Sequence, residues 1–430
     1  MSLSEYQKDF LTNLISIPSV GGEPEDGAPY GAVPRHVLDW FLGKAREAGF
    51  ETGVTGDRAG WVEFGSGDRM LGIICHLDVV PEGDGWDSDP FTLTFKDDVM
   101  YGRGIVDDKG PAAASFFAMK ELLEEGKIPE DYRVRLILGT DEERSCSCVE
   151  YYAEHEQIPD FAITPDASFP AIYCEKSILH IKIYGKNTGD LWADCGSAVN
   201  MVPAKARCII EGQDISTEGK TAHGSRPELG INAISLLLAK LKDSNIDINK
   251  YPIFKFISDF DAVKFTGCDT VDESGTLTSN IGMLNADGDE CSVTIDFRVP
   301  YSHKLNDVID SLRAKASEYG FDIELINNMD AIFLDKNSPS IRGLTEIWRR
   351  HMDKFTGFKE EYRDREDYTE AIAIGGGTYA RHIPNTVAFG IETPWQIDQC
   401  HQANEHVPVN DFIQWVEIIR QFIENGIPED

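Results

Sequence analysis

Cysteine is scarce: nine residues at irregular positions in a chain of 430. An odd count at low density excludes a disulfide scaffold. Cys146 and Cys148 stand as C-x-C with no second pair beside them, so they read as ordinary reduced thiols, and Cys75, inside an apolar run, reads as core. Long hydrophobic runs are missing as well. No window approaches the ~18 to 20 uncharged apolar residues that span a bilayer. The N-terminal stretch MSLSEYQKDFLTNLISIPSV has no basic leader and reads as an amphipathic helix rather than a signal peptide, which points to the cytoplasm. Cations are outnumbered, 40 Lys and Arg against 74 Asp and Glu, and the net charge of -34 is spread along the chain. Such a surface repels nucleic acid and anionic membranes. Neither a Pro, Gly or Ser-rich linker nor an internal repeat is present. Gly375, Gly376 and Gly377 are not followed by Lys-Ser or Lys-Thr, which argues against a phosphate cradle. Close backbone approach to a substrate and tight strand packing are both open for them.

What is present is alternation. Short apolar runs at Leu71-Cys75, Val134-Leu138, Phe161-Ile163, Ala371-Ile374 and Val387-Phe389 are separated by helix-like segments, including Pro34 to Gly49 and the stretch from Pro111 to Gly126. This predicts an α/β fold: a largely parallel sheet with helices on both faces. Between about Ile178 and Leu334 the pattern changes to HIKIYG, CIIEG and SVTIDFRVP with helices near Ile231-Leu241 and Lys304-Tyr319. That reads as an α+β lid domain inserted into a catalytic domain, dividing the chain as 1–177, 178–334 and 335–430.

Ligands of open α/β sheets bind beyond the carboxyl ends of the strands. Here the loops at those ends carry His76, Asp107, Glu142, Glu143, Asp166 and His401. An acidic loop residue is ordinarily solvated surface, and Asp141-Glu142-Glu143 alone could be an acidic turn. Convergence changes the balance. Like charges ~4 Å apart repel by ~1 kcal/mol in water and ~4 kcal/mol at an effective dielectric near 20. Divalent cations remove that conflict, and carboxylates with two imidazoles suit a pair of them.

The strings HLDVVPEGDGW, YGRGIVDDKGP, TDEE, FAITPDASFPAIYCEKS, NMVP, TAHGSRPELGINA, DESGTLTSNIG, IGGGTYAR and HQANEH extend over nearly the whole chain. In them the sequence resembles the M20 metallopeptidases, and within that family the PepV-like bacterial dipeptidases. The resemblance implies that His76 and Asp166 bind one metal, Glu143 and His401 the other, and Asp107 bridges both, with Asp108 as the competing bridge. It implies Glu142 as general base taking a proton from a bridging water to give the attacking hydroxide, and Asp78 as the acceptor of the second N–H of His76. His223 would stabilise the oxyanion, Asn200 and Arg298 would grip a substrate carboxylate, and Gly376 would lie along the substrate. Without the resemblance, His223 is an ordinary structural histidine and Arg298 an edge-strand charge. His382 and His406 match no ligand position. Arg144 and Cys146 stand where relatives more often carry small or neutral residues, and Arg226 and Glu228 where relatives are often neutral, which bears on substrate preference.

The expected cofactors are two divalent metal ions, zinc first, with manganese or cobalt as alternatives. The expected activity is hydrolysis of dipeptides or short peptides with a free C-terminal carboxylate, by a monomer or homodimer. A deacylase or desuccinylase of N-acyl amino acids shares the same metal core. A non-catalytic binding protein on this fold would have lost Glu142 or a ligand, and all are present.

Overall fold

The computed structural model describes residues 2–397 and 399–429. They form two compact units. One comprises the chain up to Tyr173, Leu334–Ile372 and the segment from Thr378, and the other Cys174–Phe333 with Ala373–Gly377. Among the described residues no helix is long and apolar enough to cross a membrane.

In the first unit, strands Tyr132–Gly139, Arg69–His76, Phe161–Thr164 and Thr386–Ala388 lie side by side in that order and run parallel. Residues Met70 to His76 are all buried, the pattern of a central strand covered on both faces. Antiparallel strands flank this centre: Glu51–Thr55 and Ala59–Gly65 on one side, Ile172–Glu175 on the other. The faces are covered by different helices. A Cβ at Gly60 would meet Leu38 and Leu42 of helix Ala32–Glu47, whereas the next residue, Trp61, packs against the cluster containing Val149 and Tyr152 of helix Ser147–His155.

On the first face Phe10 of helix Glu5–Ile15 contacts Phe41 and, from helix Lys109–Glu124, Phe116 and Phe117, with ring centroids 5.1 to 5.4 Å apart. Each such buried ring contributes roughly 1.5–3 kcal/mol. The N-terminal segment is thus a capped amphipathic helix, Ser4 and Gln7 closing its first turn reciprocally. Lys109, fully buried, donates from Nζ to the carbonyls of Leu14 and Ile17 and so satisfies the end of that helix.

The second unit is an α+β body on an all-antiparallel sheet. Its strands are ordered Gln213–Glu218, Lys205–Ile210, Trp192–Cys195, Thr278–Asp287, Glu290–Val299, Ser177–Lys186 and Asp322–Met329. Helices Ala233–Lys242, Pro252–Asp259 and Leu305–Glu318 cover the face that presents Leu179, Ile181, Ile295 and Phe297. The units divide a few residues from the positions the hydrophobic pattern suggests. The run Ala371-Ile374 forms a short, half-exposed strand, Ile372–Ile374, off the main order of the large sheet. Its Ile374 carbonyl accepts from the Lys176 amide, which ties Ala373–Gly377 to the second unit.

Candidate metal centre

Parallel register delivers three loops to one edge of the first unit. His76 ends its strand in register with Gly139, and Thr140-Asp141-Glu142-Glu143 follow directly, while Asp166 follows strand Phe161–Thr164. Asp107 precedes helix Lys109–Glu124, where an anion is favoured by the helix dipole. His401 arrives separately, ahead of strand His406–Pro408, whose pairing with Val99–Tyr101 draws its loop alongside.

The Asp107 carboxylate lies between the two imidazoles. Its Oδ1 is 3.0 Å from Nε2 of His76 and its Oδ2 is 3.2 Å from Nε2 of His401. Asp166 Oδ2 approaches His76 Nε2 at 3.6 Å, and Glu143 Oε2 approaches His401 Nε2 at 3.0 Å. In a tetrahedral site with bonds of ~2.0–2.1 Å, neighbouring donor atoms are ~3.4 Å apart. The observed separations are of that size, and His76 forms cation-sized groups both with Glu142 and Asp166 and with Asp107 and Glu143. Glu142 stands further back, Oε2 at 4.0 Å from His76 Nε2, with its side chain 24% exposed against 7% for Glu143.

Electrostatics shows a demand for positive charge. Asp107 and Glu143 push the His401 ring up to about 11. Burial opposes charge on His76, yet Asp107, Asp166 and Asp78 outweigh it and raise that ring too. Burial pushes the carboxyl of Glu142 up, aided by Asp166, Glu143 and Asp107, and burial likewise raises Glu143, partly offset by His401. Asp107 is lowered although burial opposes it, because both imidazoles donate to it. Carboxylates that raise both rings in this way favour positive charge at the centre. Glu143 Oε1 is buried with no hydrogen-bond partner among the described residues. An acceptor left so costs about 1–3 kcal/mol, which coordination would remove. The donor set fits divalent cations.

The loops are held by buried polar contacts, several of which carry no mark in the sequence. Nδ1 of His76 lies 3.0 Å from the Asp78 carbonyl oxygen and 3.5 Å from the Asp78 carboxylate, so the backbone provides the closer acceptor. The Asp78 carboxylate instead holds the neighbouring loop, its two oxygens accepting the amides of Glu142 and Glu143, each at 3.1 Å. Asp108, adjacent to Asp107, turns away and accepts the His76 amide at 2.8 Å. Glu405, within HQANEH, is fully buried. Its oxygens accept from Arg103 Nη1 and from the amides of Gly104, Val106 and Asp107. A glutamate in a polar loop is ordinarily solvated, and sequence reasoning assigns this one no role. Its one visible signal is its place four residues after His401 and just before the apolar-centred strand His406–Pro408.

Asp78→Asn tests the carboxylate. Asparagine can accept only one of the two amides and turns an N–H₂ toward the other, so metal affinity is expected to fall ~10–100-fold. Competition against a chromophoric chelator measures it, and unchanged affinity would show that the loop needs no such anchor.

His223, Asn200 and Arg298 belong to the second unit and form one neighbourhood there. The Gly224 amide donates to the Asn200 carbonyl at 2.6 Å, and Nδ1 of His223 lies 2.7 Å from the Ser225 hydroxyl and 3.2 Å from the Ser225 amide nitrogen. Arg298 Nη1 donates to the Gly375 carbonyl at 3.3 Å. At Gly376 a Cβ would meet, among the described residues, only Ile374 Cδ1 at 3.7 Å, an ordinary contact rather than the clash that tight strand packing would give. Arg144 points outward to Asp141 and to the Gly22 carbonyl. His382 pairs with Glu150, and His406 stacks on Tyr101.

Residues 72–425 match the model of peptidase family M20/M25/M40. The chain belongs to that family and is a hydrolase of the peptidase class. Among curated relatives, a putative dipeptidase of Staphylococcus haemolyticus is 33% identical, with 93% of this chain and 92% of the relative covered. A putative dipeptidase of Staphylococcus aureus is also 33% identical, with 92% of each chain covered. Among solved structures, a Staphylococcus aureus tripeptidase superposes with a TM-score of 0.61 at 18% identity over 99% of both chains. The aminoacylhistidine dipeptidase of Vibrio alginolyticus gives 0.64 at 11% identity over 100% of this chain and 98% of its own. These structural likenesses speak for the fold.

Proposed function

We propose that this protein is a metal-dependent dipeptidase that hydrolyses the peptide bond of dipeptides or short peptides bearing a free C-terminal carboxylate. The single observation that carries the reading is the Asp107 carboxylate shared between His76 and His401. His76 with Asp166 and His401 with Glu143 would each hold one divalent cation, and Asp107 would serve both. When bound, the pair would acidify a shared water and polarise the scissile carbonyl, and the donor set suits zinc first, then manganese or cobalt.

Glu142 is close to this centre and more exposed than Glu143. It is the residue to accept the water's proton and to return it to the leaving amine nitrogen. Burial raises its carboxyl, which brings it nearer to a group that can both take and give a proton. His223 would donate to the developing oxyanion. Arg298 and Asn200 would bind the substrate carboxylate, and Gly376 would allow the substrate backbone to approach. The names of the relatives favour this reading over a deacylase with the same metal core.

Chelator-treated protein should lose hydrolysis of a dipeptide panel and regain it with zinc, manganese or cobalt, with elemental analysis giving two ions per chain. Full activity in material shown to be metal-free would overturn the reading. Product analysis with N-acetyl and N-succinyl amino acids alongside the panel decides the class, since preferential release of acetate or succinate would make the protein a deacylase.

A further inference from the structure

Arg298 is not an isolated guanidinium. Two residues earlier on strand Glu290–Val299, and hence on the same face, lies Asp296, fully buried. Asp296 Oδ2 accepts from Arg298 Nη2 at 2.9 Å, and Oδ1 lies 2.8 Å from Nε, an ion contact along the side of the guanidinium. Across the sheet, Asp296 is in register with His180, whose Nε2 is 3.4 Å from Oδ1. Above it runs the loop of His223: a Cβ at Gly224 would stand 2.4 Å from Asp296 Oδ2 and 2.9 Å from the Asn200 carbonyl oxygen. One carboxylate therefore touches Arg298 and packs beneath the glycine that joins His223 to Asn200.

We infer that Asp296 is a positioning residue, fixing the Arg298 guanidinium side-on so that one N–H of each terminal nitrogen is left for the substrate carboxylate. The count supports this. Arginine has five N–H donors. One Nη2 hydrogen goes to Asp296 and one Nη1 hydrogen to the Gly375 carbonyl, which leaves one hydrogen on each terminal nitrogen, while Nε, though 2.8 Å from Asp296 Oδ1, makes no hydrogen bond among the described residues. One N–H from each terminal nitrogen is what a carboxylate needs to be held by both its oxygens. A buried ion pair is weak evidence for stability, since well-packed apolar residues often replace one without loss. Its retention beside the residues proposed to bind substrate is better explained by geometry.

The inference rests on the proposed role of Arg298, and the experiment separates the two. Kinetics of wild type, Asp296→Asn, Arg298→Ala and the double variant are measured on a dipeptide and on the same dipeptide with a C-terminal amide. Thermal unfolding is followed in parallel. Wild type should prefer the free carboxylate, and Asp296→Asn should raise KM for it by about tenfold with kcat within about threefold, the scale expected of a misplaced binding group. The rise in KM should be several-fold smaller on the amide than on the free carboxylate, and Asp296→Asn should add nothing to the discrimination left in the Arg298→Ala background. If wild type fails to distinguish dipeptide from amide, the role of Arg298 falls and the inference with it. If wild type discriminates and Asp296→Asn discriminates equally, or binds the dipeptide more tightly, Asp296 is only a counter-charge and the inference alone is overturned. A uniform loss on both substrates with a lowered unfolding temperature would mark a structural role and also overturn it.

Discussion

Glu142→Gln is expected to lower kcat by roughly 10²–10⁴-fold, the range by which general acid–base catalysis contributes, while the bound metal stays. The expectation follows from the contrast between two neighbours. Glu143 is nearly buried and in contact with His401, whereas Glu142 stands 4.0 Å from His76 Nε2 with a quarter of its side chain open. Both backbones are pinned by Asp78, so the substitution changes a carboxylate into an amide without releasing the loop. Glutamine keeps the shape and cannot accept the water's proton. Geometry also offers a rival: Glu142, His76 and Asp166 lie close enough to share one cation. Steady-state kinetics with elemental analysis of the same preparation decides between them. Loss of turnover with two ions retained supports the base; loss of an ion along with turnover makes Glu142 a ligand; retained turnover removes it from both roles.

Much of this site was legible because burial and strand ends are written in the sequence. Leu71-Cys75 is apolar throughout, so a strand covered on both faces, with His76 delivered at its end, follows from pattern alone. Asp141-Glu142-Glu143 after Val134-Leu138 is legible for the same reason. Strand order is not. Tyr132–Gly139 sits between Ala59–Gly65 and Arg69–His76, and the antiparallel flanks have no periodicity that tells them from parallel strands. Adjacent acids also resist reading, since nothing in the string DDKG says that Asp107 faces the imidazoles while Asp108 accepts an amide. Distance along the chain hides the rest: Asp78 serves amides 64 and 65 residues away.

The most distant of these contacts carries the second large expectation: Glu405→Gln should weaken both folding and metal binding. Glu405 is separated from its four donors by 298 to 302 residues, so it joins the segment Arg103 to Asp107 to the far end of the chain. Each carboxylate oxygen accepts two hydrogen bonds: Oε2 from Arg103 and Gly104, Oε1 from Val106 and Asp107. Glutamine is nearly the same size, yet in either orientation its N–H₂ faces two donors. Arg103, itself buried, keeps the carbonyl of Glu82 at 3.2 Å and loses its ion pair at 2.7 Å. Removing one partner of a buried pair costs about 3–5 kcal/mol. The orientation that keeps the carbonyl oxygen facing the Arg103 cation turns the N–H₂ toward the Val106 and Asp107 amides, so the carboxylate between the two imidazoles loses its backbone anchor. Metal affinity should fall ~10–100-fold, as it does when the supports of ligands are removed. Denaturant unfolding of the metal-free protein isolates the folding cost, and chelator competition isolates the affinity. A stability loss with unchanged affinity would show that Asp107 is held by its helix and by His76 without help from Glu405. Unchanged values of both would mean that water enters to replace the lost bonds.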